Sequence, residues 1–521
     1  MLNLAAGDKP PFEFNGKIFD DAAAMVYDAG GFDLSQIKDP RAKKMAEETL
    51  RVIMRAVETG VPHEVPPELL YALEENSFVF SGFKTYHTLR DIGLSMVDDK
   101  GSVKPFDMFK EDVKKVNERY NINYLYAEYK HAVGASLMAV KWRDLAERPE
   151  RYFLQYRTAG DSKVRETHRR LDGVTLPATD PFWDKYYPPN GWGCRCQVTK
   201  VRRGKYSSTD PKQAMKDGDE MTEDIKQRIF RYNAGKDLKL FPPKHPYYKA
   251  PAAAKKAIKE LTEEQKKDKR VAEMRAQLPD TLTDAEKDAK AVNNYEIEKA
   301  LGVTMGKPMT VEQADKQSAN PKHVLKFLPD PNGSYRDTAG NRFRLNPDYK
   351  KTRDYPFSIN CQTCAPAYAL RLMGFDVTAK GNTAGSLSEY LSHQRSFEAW
   401  KNADGSKCAP VLTFDWMLDK GYKTMTKKRY REYFEEACKD EGVYVLTIGW
   451  RGGGGHATIL QRDADGVLSY IEPQEFDSDK GAKRTIDELC ESGSTKPIST
   501  RGVLRVDNKV FDLKFISIFD K

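Results

Sequence analysis

The sequence contains no stretch approaching the ~20 apolar residues that a membrane-crossing helix requires. It also has no segment that repeats at a fixed period and no low-complexity tract. Its opening residues, MLNLAAGDKPPFEF, have no sustained apolar run ahead of the charges and prolines, so a secretory leader is not expected there. Cysteine is scarce. The seven present in 521 residues are an odd number, set as Cys194/Cys196, Cys361/Cys364 and three singles. That argues against a disulfide framework and suits thiol chemistry or metal binding in a reducing compartment. A strong excess of one charge is lacking too. Lys and Arg number 85 against 77 Asp and Glu, for a net +8. Acids are interleaved with the lysines, so no dedicated, specific nucleic-acid contact is expected.

What is present describes a folded chain with much polar surface. The hydrophobic fraction is 39% and the charged fraction 31%, with a mean hydropathy of −0.69. The 24 Phe, 26 Tyr and 6 Trp are enough to build real cores. The length exceeds what one core supports and predicts two to four domains.

The first 150 residues read as mainly helical. In PRAKKMAEETLRVIMRAVET (40–59), Ala46, Leu50, Ile53 and Val57 recur at helical spacing, and Gly60 and Pro62 stop the run. Further helices are expected over 106–120 and 126–147, and YFLQYRT (152–158) reads as a strand. From Gly204 to Asn320 the composition shifts. KKAIKELTEEQKKDKRVAEMRAQL (255–278) is densely charged with sparse apolar positions, which predicts a solvated linking helix. Beyond Asn320 the texture is α+β. Helices are expected after Cys361 and over 428–441, with strands at 443–450, 456–461 and 468–473. A hairpin over 502–519 would turn near Asp507–Asn508. The expected division is therefore a helical module over 1–205, a charged, mostly helical linker over 206–319, and an α+β domain over 320–521.

Two constellations carry chemistry. The first is YRTAGDSKVRETHRRLDGVTLPATDPFWDKYYPPNGWGCRCQVTKV (156–201). On a strand, residues two apart face the same way, so Cys194 and Cys196 can present two sulfurs together. His168, with Asp161 before it, could complete a tetrahedral zinc site. A C-x-C pair without a second pair equally fits two half-buried thiols beside a packed histidine, and both readings stand.

This segment resembles the phage Mu F-like minor head protein family. The likeness rests on Arg157, Asp161, Arg165, His168, Leu171–Asp172–Gly173, Phe182–Trp183, Pro188–Pro189–Asn190–Gly191 and Cys194–Arg195–Cys196. The resemblance implies a head-morphogenesis role in the virion, at the portal vertex or capsid interior, with portal and capsid proteins as partners.

The second constellation is Cys361/Cys364, His456 and Glu472. A cysteine at a helix start has its thiolate stabilised by the helix dipole, and the free amides there can hold an oxyanion. A histidine from elsewhere in the fold can form the thiolate–imidazolium pair, and a carboxylate can fix its tautomer. His456 and Glu472 are separated by DADG (463–466), which suits adjacent antiparallel strands. Four glycines, Gly452–Gly455, precede the histidine and suit close approach of a substrate backbone. Pro366 is comfortable only in a first helical turn, which favours a helix starting at Thr363 with Cys364 as nucleophile.

The stretch NCQTCAPAYALRLMGFDV (360–377) resembles papain-fold toxin domains, a group that includes protein-glutamine deamidases. The likeness is carried by Asn360–Cys361, Tyr368, Leu370–Arg371, Gly374, Asp376–Val377 and Ala379, and by the lead-in MTVEQADKQSANP (309–321). Gly455–His456–Ala457 and Ile471–Glu472–Pro473–Gln474 follow in the family's order. The resemblance implies a papain-like cysteine hydrolase with Cys361 as nucleophile (Cys364 the alternative), His456 as base, Glu472 as the orienting acid and Gln474 as an auxiliary. The family's acid is usually Asp. No cofactor is implied for this chemistry. The substrate would be a host protein, met in the host cytoplasm during assembly or after delivery. Deamidation and peptide hydrolysis use the same residues, so both stay open, beside an inactive C-terminal binding domain on a structural head protein.

Overall fold

The computed structural model describes residues 10–520, apart from 63–64, 101, 316–318, 337–339, 395, 451–453, 475–482, 492–494 and 497–501. Gly452, Gly453 and part of the 309–321 lead-in thus lie outside the described residues. The chain divides into two compact units, Met1–Lys267 and Asp268–Lys521. Among the described residues no helix is long and apolar enough to cross a membrane.

The first unit is mainly helical, built from α1 (Gly16–Asp28), α2 (Pro40–Gly60), α3 (Pro67–Leu94), α4 (Phe106–Asn117) and α5 (Leu125–Ala146). The α2 start follows from local chemistry. Asp39 accepts the Arg41 amide, and Pro40 occupies the first turn, where its missing N–H costs nothing. The helix buries Met45, Val52, Ile53 and Val57. Gly60 lets α2 approach α5 closely, since a side chain there would collide with Ser136 and the Val133 carbonyl. Helix α3 was not legible in the sequence, because its buried residues do not form one apolar stripe. Lys84, Thr85, His87 and Thr88 are buried along with Phe80 and Leu89. Lys84 is answered there by Glu128, 2.6 Å away.

After α5 the chain forms a small antiparallel sheet with β1 (Tyr152–Arg157) between β2 (Thr175–Pro177) and β3 (Gln197–Arg202). A separate core of Leu154, Tyr156, Leu176, Trp183 and Tyr187 underlies it.

The charged helix α6 (Ala252–Ala276) differs from the solvated linker that the composition predicts. Ala254, Ile258 and Leu261 form a stripe at helical spacing in the core of the first unit, and Met274 joins the core of the second. Both flanks of the expected linker are likewise taken into cores. Phe230, Tyr232 and Phe241 are buried in the first unit, and Ile297, Leu301 and Val311 in the second. The division at Lys267/Asp268 therefore differs from one at residues 205 and 319.

The second unit is α+β. Helices α7 (Asp284–Leu301), α8 (Cys361–Leu372) and α9 (Lys427–Ala437) accompany a sheet of seven short strands among the described residues. The strands are β4 (Val411–Leu412), β5 (Gly442–Trp450), β6 (Gly455–Arg462), β7 (Leu468–Ile471), β8 (Lys483–Thr485), β9 (Thr495–Lys496) and β10 (Gly502–Arg505). Their order is β8-β7-β6-β5-β10-β4, antiparallel throughout, and β9 pairs with the end of β5. Alternation along β5 separates two cores. Val443 and Val445 join Cys364, Ala365 and Tyr368 of α8, whereas Tyr444, Leu446 and Ile448 join Tyr433 and Phe434 of α9. The hairpin expected over 502–519 does not form. Gly502–Arg505 pairs with β5 and β4, and Val510–Phe511 pairs with Trp400–Lys401. Val506 donates to the Val443 carbonyl, so the segment before the turn is already spent on β5.

Candidate functional site

Helix α8 begins at Cys361, and Asn360 caps it without a side-chain bond to the helix. The Asn360 side chain is committed elsewhere. Its Nδ2 donates to Asn320 Oδ1 at 3.2 Å and to the Lys380 carbonyl at 3.1 Å. Asn320 Nδ2 donates in turn to the carbonyls of Phe357 (2.7 Å) and Gln474 (3.1 Å). The amides of Thr363 and Cys364 take the Asn360 carbonyl, which leaves those of Cys361 and Gln362 without a helix partner among the described residues. Pro366 lies inside the helix. Its missing N–H forgoes the bond to the Gln362 carbonyl, and α8 nonetheless begins at Cys361 instead of Thr363, with the proline in its second turn. At the other end the buried Arg371 donates to the Ala314 and Val377 carbonyls and to Asp376, 2.6 Å away.

The structure separates the two cysteines. Cys361 is half-buried, while Cys364 is fully enclosed. Burial pushes the Cys364 thiol well above the usual range, and the nearby Cys361 and Glu472 push it further. A thiol so held is a poor nucleophile.

His456 is the second residue of β6, opposite Ile448 on β5. Glu472 follows the last residue of β7, the neighbouring strand. The sheet thereby brings His456 Nε2 within 2.7 Å of Glu472 Oε2. Burial disfavours the imidazolium, but the Glu472 charge and the hydrogen bonds that His456 makes to Cys361 and Glu472 overcome it, holding His456 well above its ordinary value. Glu472 shows the converse. Burial raises its carboxyl, and the His456 charge and hydrogen bond, the Tyr470 hydroxyl and the Gln474 amide outweigh that and lower it. Tyr470 donates to Oε2 at 2.7 Å and the Gln474 backbone to Oε1 at 3.1 Å. The Gln474 side chain turns to Asn360 Oδ1 at 3.4 Å, joining the two asparagines at the helix start.

Cys361, His456 and Glu472 thus converge, with Gln474 beside them. Sequence reasoning did not find Asn320 or Tyr470. Tyr470 had a usable signal, because it stands two residues before Glu472 on the same strand face. Asn320 lies in the lead-in MTVEQADKQSANP, but its bonds to Asn360 could not be foreseen, since it is brought in from forty residues before that residue.

The first constellation also assembles. His168 Nδ1 lies 3.7 Å from Cys194 Sγ and 3.6 Å from Cys196 Sγ, and the three ligand atoms all fall within 4.8 Å of one another. Tetrahedral bonds of usual zinc length would hold a nitrogen and a sulfur about 3.5 Å apart, so the geometry fits zinc. A hydrogen bond from Cys196 draws the Cys194 thiol well below its ordinary range, and His168 assists against burial. The same hydrogen bond, burial and the charge on Cys194 push Cys196 up. Asp161 is not part of this cluster. It forms a two-pronged pair with Arg195, including a 2.6 Å bond to Nη2, and the two cysteines lie just ahead of β3, not on the strand.

Residues 106–199 match the family described as Phage Mu protein F like protein. This chain is 35% identical over 95 residues to the Mu-like prophage FluMu F protein of Haemophilus influenzae, which is 18% of this chain and 22% of that one. It is 30% identical over 103 residues to the putative capsid assembly protein F of Escherichia phage Mu, 20% of this chain and 21% of the relative. The chain therefore matches about a fifth of the length of these curated relatives. No solved structure matches. The matched segment runs from α4 into β3 and contains the His168–Cys194–Cys196 cluster, so the likeness to Mu F proteins covers this cluster.

Proposed function

We propose that this protein acts in phage head morphogenesis, in the virion at the portal vertex or capsid interior, among portal and capsid proteins. We further propose that its C-terminal unit is a papain-like cysteine hydrolase that deamidates glutamine side chains of a host protein. The Mu F-like segment supports the first part, together with the capsid-assembly name of one relative. One observation carries the second: a half-buried cysteine at a helix start meets a histidine that a buried carboxylate keeps charged.

In this reading Cys361 is the thiolate and His456 its imidazolium partner. The sulfur attacks the amide carbon, and the C–S bond forms as the carbonyl pair moves onto oxygen. The amides of Cys361 and Gln362 are placed to receive that oxyanion. His456 gives its proton to the departing nitrogen, the C–N bond breaks and ammonia leaves. Water then attacks the thioester carbon, His456 takes the water's proton, and the C–S bond breaks to free the new acid. Glu472 holds the imidazole tautomer throughout. Peptide hydrolysis differs only in the leaving amine.

The test incubates the full-length protein, and its Cys361→Ala variant, with bacterial lysate. Peptide mass spectrometry then separates glutamine-to-glutamate conversion from new peptide termini. Conversion that depends on Cys361 is expected. New termini would make the enzyme a protease, and neither signal would leave the C-terminal unit a binding module.

We also propose that His168, Cys194 and Cys196 bind a zinc ion. Its role there is structural, tying the short helix that bears His168 (Glu166–Arg169) to the segment entering β3.

A further inference from the structure

The second unit contains a cavity of about 310 Å³ remote from Cys361. Leu372 and Met373, at the far end of α8, border it. Twelve residues of helix separate that end from Cys361, a span of about 18 Å. The wall is largely apolar, with Met305, Met309, Leu372, Met373 and Val443. Polar side chains interrupt it: Lys290 and Asn294, with Gln277, Thr281, Gln461 and the charged Glu441, Arg462, Asp463, Arg505 and Asp507. Lys290 and Asn294 stand one turn apart on α7 and so share a face.

Both are buried, with 3% and 1% of their surface exposed, and neither is fully answered. Lys290 Nζ donates to the Lys509 carbonyl at 2.8 Å and lies 3.5 Å from the Met373 sulfur. Among the described residues no carboxylate pairs with it, because the nearby Asp507 is held by Arg505 at 2.8 Å. Asn294 Nδ2 has no hydrogen-bond partner at all among the described residues. The arginines at the rim are spent as well, Arg505 on Asp507 and Arg462 on Glu435. A buried ammonium without a counter-ion and a buried amide without an acceptor are each costly. Here both open onto the same apolar chamber. Burial draws the Lys290 ammonium down to about 8, so it is still mostly charged at neutral pH.

We propose that this cavity binds a small aliphatic carboxylate. The head accepts from Lys290 Nζ and Asn294 Nδ2, and the tail packs against Met305, Met309 and Met373. Lys290 is buried, whereas the lining acids Glu441 and Asp463 are exposed and half-buried, so the deep part of the cavity offers one cation, which favours a carboxylate over a phosphate. Methionine thioethers adapt to an unbranched chain, and the volume lies at the small end of ligand pockets.

The test titrates the full-length protein with sodium octanoate and, separately, with octanol, by calorimetry. Octanoate should bind in the millimolar range or tighter, and octanol at least about tenfold more weakly, the weight of a charge-assisted hydrogen bond. Lys290→Met should erase that preference. Asn294→Asp supplies an internal counter-ion to Lys290 and should abolish octanoate binding while keeping the thermal midpoint, which guards against misfolding of the first variant. Equal binding of octanoate and octanol, or octanoate binding that survives Asn294→Asp, would overturn the proposal. So would no octanoate binding at all.

Discussion

His456 Nε2 and Glu472 Oε2 stand 2.7 Å apart, and the same carboxylate accepts two more donors, the Tyr470 hydroxyl and the Gln474 backbone amide. Three donors converge on two oxygens, so only a carboxylate can satisfy them all. In Glu472→Gln the new amide nitrogen must face one of these donors. The variant should unfold about 1–3 kcal/mol more easily, the cost of a spoiled buried hydrogen bond. Turnover should fall by about 10²–10⁴-fold as the imidazole loses its orienting charge. Glu472→Asp keeps the charge with a shorter reach and should recover part of both. Wild-type turnover and stability in Glu472→Gln would remove this residue from the proposed triad.

The same pair sets a pH window. His456 is held above the ordinary histidine value of 6.5, so its stabilising contribution is complete below that value and is lost as pH rises through the folded-state value. Glu472 is held below its ordinary 4.5, so its contribution is present above 4.5 and is lost as pH falls through its folded-state value. Stability of the second unit should therefore hold through neutral pH and decline in the alkaline range. Urea melts across pH should show that decline in the wild type and a flatter profile in Glu472→Gln. Identical profiles would mean that the imidazole is not held charged.

Part of this arrangement was readable in the chain, and the reason is local. Strands β5, β6 and β7 follow from β-forming residues and a DADG turn, and that turn makes His456 and Glu472 neighbours. The helix after Cys361 follows from the run ending at Gly374. Non-local packing was not readable. Pro366 argued for a later helix start, yet the helix runs through it with one backbone bond forgone. Residues 255–278 looked like a solvated linker because scattered apolar positions among many charges hardly register, although Ile258 and Leu261, with Ala254 just before them, suffice once a core is there to receive them. The bonds of Asn320 were invisible for the same reason, since its partners Phe357, Asn360 and Gln474 are distant in sequence.

The two cysteines of α8 should behave oppositely. Cys361 is half-buried beside His456, and Cys364 is sealed among Ala365, Tyr368 and the sheet. Brief iodoacetamide treatment of the native protein should modify Cys361 and spare Cys364, as read by peptide mass spectrometry. Cys361→Ala should lose all hydrolysis with little change in stability. Cys364→Ser buries an extra hydroxyl and should cost about 1–3 kcal/mol, with turnover retained in the folded fraction. Loss of turnover in folded Cys364→Ser, with Cys361→Ala still active, would reverse the assignment.

The last prediction concerns the thiol cluster of the Mu F-like segment. His168 Nδ1 lies within 3.7 Å of both sulfurs, which matches ligand spacing around a tetrahedral zinc, and one sulfur already favours its thiolate. Asp161 is engaged by Arg195 and does not supply the fourth ligand, so water or a partner side chain would complete the shell. Protein purified without chelator should carry one zinc ion per chain by plasma emission spectroscopy. Cys194→Ser and His168→Ala should each lose it, while Asp161→Asn should retain it. Because the ligands tie the segment around His168 to the entrance of β3, zinc removal should lower the melting temperature of the first unit and leave C-terminal turnover unchanged. Cobalt substitution offers a second readout, since two thiolates on tetrahedral cobalt give intense visible and near-ultraviolet bands. Metal-free protein that melts like the purified sample and takes up no cobalt would return the cluster to two packed thiols beside a buried histidine.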